Sequence, residues 1–227
     1  MALFTLSDLH LSLSADKPMN IFRGWDNYVE RIENNWRRIV TDSDTVVIPG
    51  DVSWAMHLDD AAADFEFIDR LPGRKIILKG NHDLWWSTMS KLTRFTAEHG
   101  FGSISFINNN AIRVGEYAVC GSRGWMLEES GTDSKLINRE VCRLTASLKD
   151  AVRLGGQPIV FLHYPVVYDD QACSELMDVL IQFGVGRVYY GHIHGAGRAK
   201  ALNGIYNGIE FKLVSCDCVD FTPVLVR

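Results

Sequence analysis

Five short apolar runs in this chain each end in residues able to hold a metal ion, and that recurrence constrains the fold more than any other feature. Residues 2–6 lead into Ser7-Asp8-Leu9-His10, and residues 45–48 into Pro49-Gly50-Asp51. Residues 75–78 lead, through Lys79, into Gly80-Asn81-His82-Asp83. Residues 158–162 end at His163-Tyr164-Pro165, and residues 187–190 at Gly191-His192-Ile193-His194. Runs this short and this rich in Val, Ile and Leu read as buried strands. In open α/β sheets, ligands bind at the carboxyl ends of the strands. A lone Asp after a strand is ordinarily a turn or cap residue. Five such endings at one edge are not explained that way.

The segments between the strands carry helical spacing. Residues 26–40 place Tyr28, Ile32, Trp36 and Ile39 on one face, and residues 58–71 do the same with Ala61, Phe65, Ile68 and Leu71. Residues 136–152 and 172–183 are further helix candidates, and residues 117–120 a further strand. Near the end, Asn207-Gly208 predicts a two-residue hairpin turn, because both positions tolerate positive φ. A meander of antiparallel strands is the expected close of the chain. With no repeat, low-complexity tract or linker, residues 1–227 read as one mixed α/β domain. Two sheets packed together with helices outside them fit this pattern.

Composition narrows the function classes. The 23 basic and 28 acidic residues leave a net charge of -5. That balance argues against broad nucleic-acid or anionic-membrane binding. Bound metals would still supply the local positive field that a phosphate substrate needs. The first six residues carry no basic leader, and nothing approaches a membrane-spanning apolar stretch. The five cysteines are an odd, scattered set. The expectation is a cytoplasmic protein with free thiols. Cys216-Asp217-Cys218 reads as alternation in a terminal strand rather than as a soft metal site.

Carboxylates and imidazoles without thiolates suit Mn, Fe or Zn in a working site rather than a structural zinc. An Asp can donate to two cations at once, a role that suits Asp51, and Asn81 offers a neutral carbonyl oxygen. The series Asp8-x-His10, Gly50-Asp51, Gly80-Asn81-His82-Asp83, His163 and Gly191-His192-x-His194 resembles the calcineurin-like metallophosphoesterase superfamily. The resemblance implies a four-layer αββα sandwich and a centre of two divalent metal ions about 3.5–4 Å apart. One ion would be held by Asp8, His10, Asp51 and His194, the other by Asp51, Asn81, His163 and His192. His82 would face the substrate, with Asp83 orienting it. Manganese is the expected metal, with iron and zinc also accepted by this ligand set.

The implied chemistry is hydrolysis of a phosphate ester by a water made nucleophilic between the two ions. Metal binding brings the pKa of water from about 15.7 to about 7, roughly 12 kcal/mol towards making hydroxide available. His82 is the candidate acid for the leaving oxygen. Ser/Thr protein phosphatases of the superfamily carry an Asp-Arg pair after the second motif and an Arg before the third. Here those places hold Val52-Ser53-Trp54 and Lys79. The expected substrate is therefore a phosphodiester or small organic phosphate. Arg123 and Trp125, directly after a strand, are candidates for touching a phosphate or a base, against a salt bridge and a core aromatic. Trp54, Trp85 and Trp86 stand between rim and core, and Arg139 is expected to pair with a neighbouring acid. The rival reading is a non-catalytic metal-binding scaffold for protein contacts, and the sequence sets no oligomeric state.

Overall fold

In a computed structural model, which describes residues 1–125 and 134–226, the apolar runs are strands of two sheets. The first sheet begins with β1 (Leu3–Thr5), β2 (Thr45–Ile48), β3 (Arg74–Ile77) and β4 (Ile104–Phe106), all parallel. The second starts from the hairpin of β5 (Ile112–Val114) and β6 (Tyr117–Ser122), and β7 (Gln157–Leu162) adds in parallel. A separate short hairpin, β8 (Val167–Tyr168) and β9 (Gln171–Ala172), precedes β10 (Arg187–Tyr190). Then come β11 (Gly204–Tyr206) and β12 (Ile209–Leu213), while β13 (Val224–Leu225) crosses back to lie antiparallel to β1. The strand orders are β13-β1-β2-β3-β4 and β11-β12-β10-β7-β6-β5.

Side-chain alternation assigns the layers. In β2, Val46 and Ile48 point to a core shared with Ile32 and Trp36 of α1 (Tyr28–Ile39), Phe65 of α2 (Ala62–Asp69) and Phe95 of α3 (Met89–His99). Val47, between them, faces the other way and meets Phe161 and Tyr189 of the second sheet. In β7, Val160 and Leu162 face Leu144 and Leu148 of α4 (Ser134–Leu154) and Leu176 of α5 (Ser174–Gln182), while Ile159 and Phe161 join the core between the sheets. Helices, sheet, sheet and helices therefore stack as the four-layer αββα sandwich, held by three apolar cores. Trp36 and Phe65 are fully buried, and each contributes about 2–3 kcal/mol through its apolar surface.

Two elements depart from the sequence expectation. The close of the chain is not an antiparallel meander. Asn207 and Gly208 do form the turn, at φ 49° and 80°, and pair β11 with β12. Yet β12 then inserts parallel to β10, with β11 left outside it. Burial explains the choice: Ile209, Phe211 and Leu213 of β12 are all buried, whereas Ile205 and Tyr206 of β11 are exposed. The more apolar strand takes the inner slot. The second departure is α3, which the apolar spacing did not announce. Its signals are at its ends, where the Thr88 side chain accepts from Lys91 N at 3.4 Å and Gly100 closes the helix at φ 73°.

Candidate metal centre

The five strand ends that carry candidate ligands converge on one edge, where the two sheets are stitched together. Ser7 N donates to Val214 O at 2.9 Å and Cys216 N donates to Ser7 O at 3.0 Å. Just beyond, the backbone takes an unusual form. Asp8, His10, Asp51 and His192 all lie in the left-handed region, at φ 62°, 45°, 51° and 71°. Such a conformation costs a non-glycine residue roughly 1–2 kcal/mol, and it persists only when its surroundings fix it. Here Asp8 N donates to Gly50 O at 3.0 Å, His10 N to Asp51 O at 2.9 Å, and His192 N to Asp8 Oδ1 at 3.0 Å. Two glycines make room. A Cβ on Gly80 would stand 2.1 Å from Asp51 Oδ1, and one on Gly191 would stand 2.1 Å from Ser7 Oγ and 2.4 Å from Asp8 Oδ2.

The side chains gather in two groups, Asp8 with His10 and His194, and Asp51 with His163 and His192. Within each group the ligand atoms lie within 4.8 Å of one another. In the first, His194 Nε2 is 3.2 Å from Asp8 Oδ1 and 3.4 Å from His10 Nε2. Asp51 Oδ2 stands between the groups, 3.8 Å from His10 Nε2 and 3.4 Å from His163 Nε2. Asn81 Oδ1 closes the second group, 2.6 Å from His163 Nε2 and 3.0 Å from His192 Nδ1. All seven sequence-predicted ligands are thus brought together.

Protonation follows from burial and neighbours. Burial pushes His10 down to about 4 and His192 likewise to about 4, keeping both rings neutral. Burial acts the same way on His163 and His194, but the carboxylates win. Asp51, followed by Asp8, raises His163 to about 9, and Asp8 with Asp217 raises His194 to about 10. Burial would raise Asp51, but His163 and His10 hold it down to about 2; Asp8, chiefly through His194, lies lower still.

The donor set fits a pair of divalent cations. The Nε2 atoms of His10 and His194 face each other, and the Asn81 carbonyl oxygen faces two ring nitrogens, so nitrogen and oxygen donors converge where a divalent cation would take the place of the protons on His163 and His194. In His163 and His194 the opposite nitrogen is committed to an outer partner, whereas His10 Nδ1 is buried without one. His163 Nδ1 lies 3.1 Å from Pro49 O, and His194 Nδ1 lies 2.9 Å from Asp217 Oδ1. Partners of this kind fix the tautomer and aim the free nitrogen at a metal.

The remaining candidates divide. His82 N donates to Asp51 Oδ1 at 2.8 Å, while its ring packs against Trp54 with centroids 4.4 Å apart. That ring lines a cavity of about 600 Å³ shared with His10, His194, Trp25 and Trp54. Asp83 requires a correction, because it does not orient the His82 ring. Its carboxylate, buried at the base of the site, accepts from Gly80 N at 2.7 Å, Asp51 N at 2.9 Å, Val52 N at 2.8 Å, Ser53 N at 3.3 Å and Trp85 Nε1 at 3.0 Å. Burial, with Asp51 adding, pushes it up towards about 7, while these donors pull it down. Arg123 and Trp125 lie away from the cavity over the ligands: Trp125 packs on the α4–α5 core, and Arg123 lines a different pocket. Arg139 is a second correction, since no carboxylate among the described residues pairs with it.

Sequence reasoning missed Asp217. It accepts from Gly195 N at 2.9 Å as well as facing His194, and the Arg198 guanidinium donates to its carbonyl. The tripeptide Cys216-Asp217-Cys218 drew attention to its sulfurs, and no local spacing ties Asp217 to a histidine 23 residues earlier. Trp25, edge-on to His194 at 5.7 Å, was missed for the same reason.

The calcineurin-like phosphoesterase family matches residues 1–196. The chain belongs to that family, and its two ligand groups are those of a dinuclear divalent-metal site. No curated protein matches the chain. Solved structures share the fold. A protein of unknown function, AQ665 from Aquifex aeolicus, is 17% identical over 99% of this chain and 95% of its own, at a TM-score of 0.54. The phosphopantetheinyl hydrolase PptH from Mycobacterium tuberculosis is 14% identical over 99% and 95%, at 0.59. TT1561 of Thermus thermophilus is 12% identical over 99% and 97%, at 0.57. Among the described residues, no helix is long and apolar enough to cross a membrane.

Proposed function

We propose that this chain, as a single domain over residues 1–227, hydrolyses a phosphodiester or small organic phosphate in the cytoplasm. The observation that carries the reading is the Asp51 carboxylate, standing between two histidine-bearing groups at 3.8 and 3.4 Å. Asp8, His10, Asp51 and His194 would hold one ion, and Asp51, Asn81, His163 and His192 the other. Such a pair of divalent ions, manganese on this reading, supplies activated water and a clamp on the phosphoryl oxygens.

The rest is done by this chain's own residues. His82 reaches into the cavity beside the ligands, and its ring donates a proton to the departing ester oxygen. Trp54 stacks on His10 and packs at a tilt against His82, limiting the rotation of each ring. Asp83 ties the Asp51 and Asn81 loops together through their amides, so the bridging carboxylate and the acid keep one spacing. Trp25 and Trp54 give the cavity an aromatic wall for the organic part of the substrate. Val52-Ser53-Trp54 and Lys79 stand where protein phosphatases of the superfamily carry an Asp-Arg pair and an arginine, which favours a small ester over a phosphoprotein. The net charge of -5 disfavours nucleic acid as a general partner.

The test is turnover of bis(nitrophenyl) phosphate beside nitrophenyl phosphate by manganese-loaded protein, with Asp51→Asn as control. Diester turnover lost in the control supports the reading and directs the substrate search to diesters. Monoester turnover alone narrows it to small organic phosphates. Silence on both, with metals bound, favours a non-catalytic scaffold instead.

A further inference from the structure

A second cavity, of about 640 Å³, shares no lining residue with the aromatic one, and its Lys79 directly precedes the Gly80-Asn81 ligand loop. Its charge is one-sided. Lys79 follows β3, Arg123 follows β6, and Arg139 and Arg143 stand one turn apart on α4, so four cations line one concavity. Arg143 has a carboxylate partner, Glu140 at 2.6 Å. Among the described residues, none lies within ion-pair distance of Lys79, Arg123 or Arg139. Like charges one helical turn apart disfavour the helix that carries them. Arg123 adds a second unmet need, because its Nε is buried without a hydrogen-bond partner. In a chain with more acidic than basic residues, such a cluster offers an anion a favourable seat.

The cavity is tied to the site. Arg123 O accepts from His163 N at 3.1 Å and from Tyr164 N at 2.8 Å. The Arg123 guanidinium lies 5.8 Å from the Tyr164 ring, which packs 4.3 Å from the ring of His192. One aromatic ring thus separates the cation cluster from a metal ligand. Guanidinium groups present donors in a plane that matches phosphate oxygens. The concave shape, in a chain of net charge -5, suits a small anion rather than a nucleic-acid strand.

We propose that this cavity is a second anion subsite, holding a phosphate group between Lys79, Arg123, Arg139 and Arg143 while another phosphate of the same substrate sits at the metal centre. The substrate class is then a small molecule with two phosphate groups. This rests on the hydrolase reading above, so the test includes a readout that does not need catalysis.

Isothermal titration of inorganic pyrophosphate into chelator-treated full-length protein reads the cavity without the metals. We expect one site, weakened about tenfold or more in Arg139→Gln and again in Arg123→Gln, and weakened by salt. Arg139 is exposed on α4, so its replacement leaves the cores untouched. The second arm compares kcat/KM for an alkyl bisphosphate and the matching monophosphate; the preference for the bisphosphate falls about tenfold in Arg139→Gln. Binding that Arg139→Gln weakens, with no preference to lose, assigns the cavity to a free anion and overturns the substrate subsite. No binding, or binding indifferent to both variants, overturns the site itself. Pyrophosphate binding without turnover of any ester would instead sink the hydrolase reading and leave the anion site standing.

Discussion

His82 serves the centre through two separate parts: its amide holds Asp51 Oδ1 at 2.8 Å, and its ring reaches the cavity. Truncation to alanine removes only the ring. His82→Ala should therefore keep its metals and lose about 10²–10⁴-fold in kcat on an alkyl ester. The loss should shrink with nitrophenolate, a leaving group that needs little protonation; equal losses on both esters would remove the acid role. Gly80 makes the complementary case. A methyl group there would occupy the position of Asp51 Oδ1, 2.1 Å away. Gly80→Ala should displace the Asp51 carboxylate from between the two groups and lose metal stoichiometry, with the far-ultraviolet dichroism unchanged; a variant that still binds two metals per chain would show that the loop can yield. At this scale the ligands were legible because each follows its strand directly. Asp83 was legible as a member of the site and misjudged in its contacts, because a sequence shows a carboxylate but not which N–H groups surround it.

Elements were legible in proportion to their apolar patterning. The strands over 45–48 and 187–190 appear at those bounds, while the 58–71 helix is shorter, split between a 3-10 turn at Asp59–Ala61 and α2. What failed was pairing: alternation gives β12 its buried face, but not the neighbour that face will meet. Asp44 shows how such a junction is secured. It lies between α1 and β2, and its carboxylate accepts from Ala2 N at 2.6 Å, Thr41 N at 2.9 Å and Thr41 Oγ1 at 2.7 Å. Burial alone would raise its pKa, but these bonds outweigh it and hold the carboxyl below its ordinary 3.8. A carboxyl depressed in the folded state lends stability above the unfolded pKa and withdraws it as pH falls through the folded one. Asp44→Asn should therefore lower stability at pH 7, on the order of 1–3 kcal/mol for the weakened hydrogen bonds. In urea titrations the gap from the parent should narrow below about pH 3.8. A gap that stays constant from pH 7 to pH 3 would mean that the charge is immaterial and only the shape matters.

Across the whole molecule, the ligand set is divided between the two sheets. Asp8, His10, Asp51 and Asn81 follow strands of the first, and His163, His192 and His194 follow strands of the second. The sheets otherwise meet through the core around Val47, Phe161 and Tyr189, and through the backbone bonds at Ser7. Cations at the shared edge would be cross-links between sheets as well as the centre of the chemistry. A ligand bound only by the folded state stabilises it by about 2.7 kcal/mol at a hundredfold excess over its Kd. For a chain of this size that corresponds to a Tm change of about 5–10 °C. Chelation should lower the calorimetric Tm by that amount, and excess manganese should restore it. Asp51→Asn should lose most of the difference, because its carboxylate serves both groups. A Tm that ignores chelation while turnover is abolished would mean that the inter-sheet core alone holds the edge in place, and that the strained backbone at Asp8, His10, Asp51 and His192 is fixed before any metal arrives.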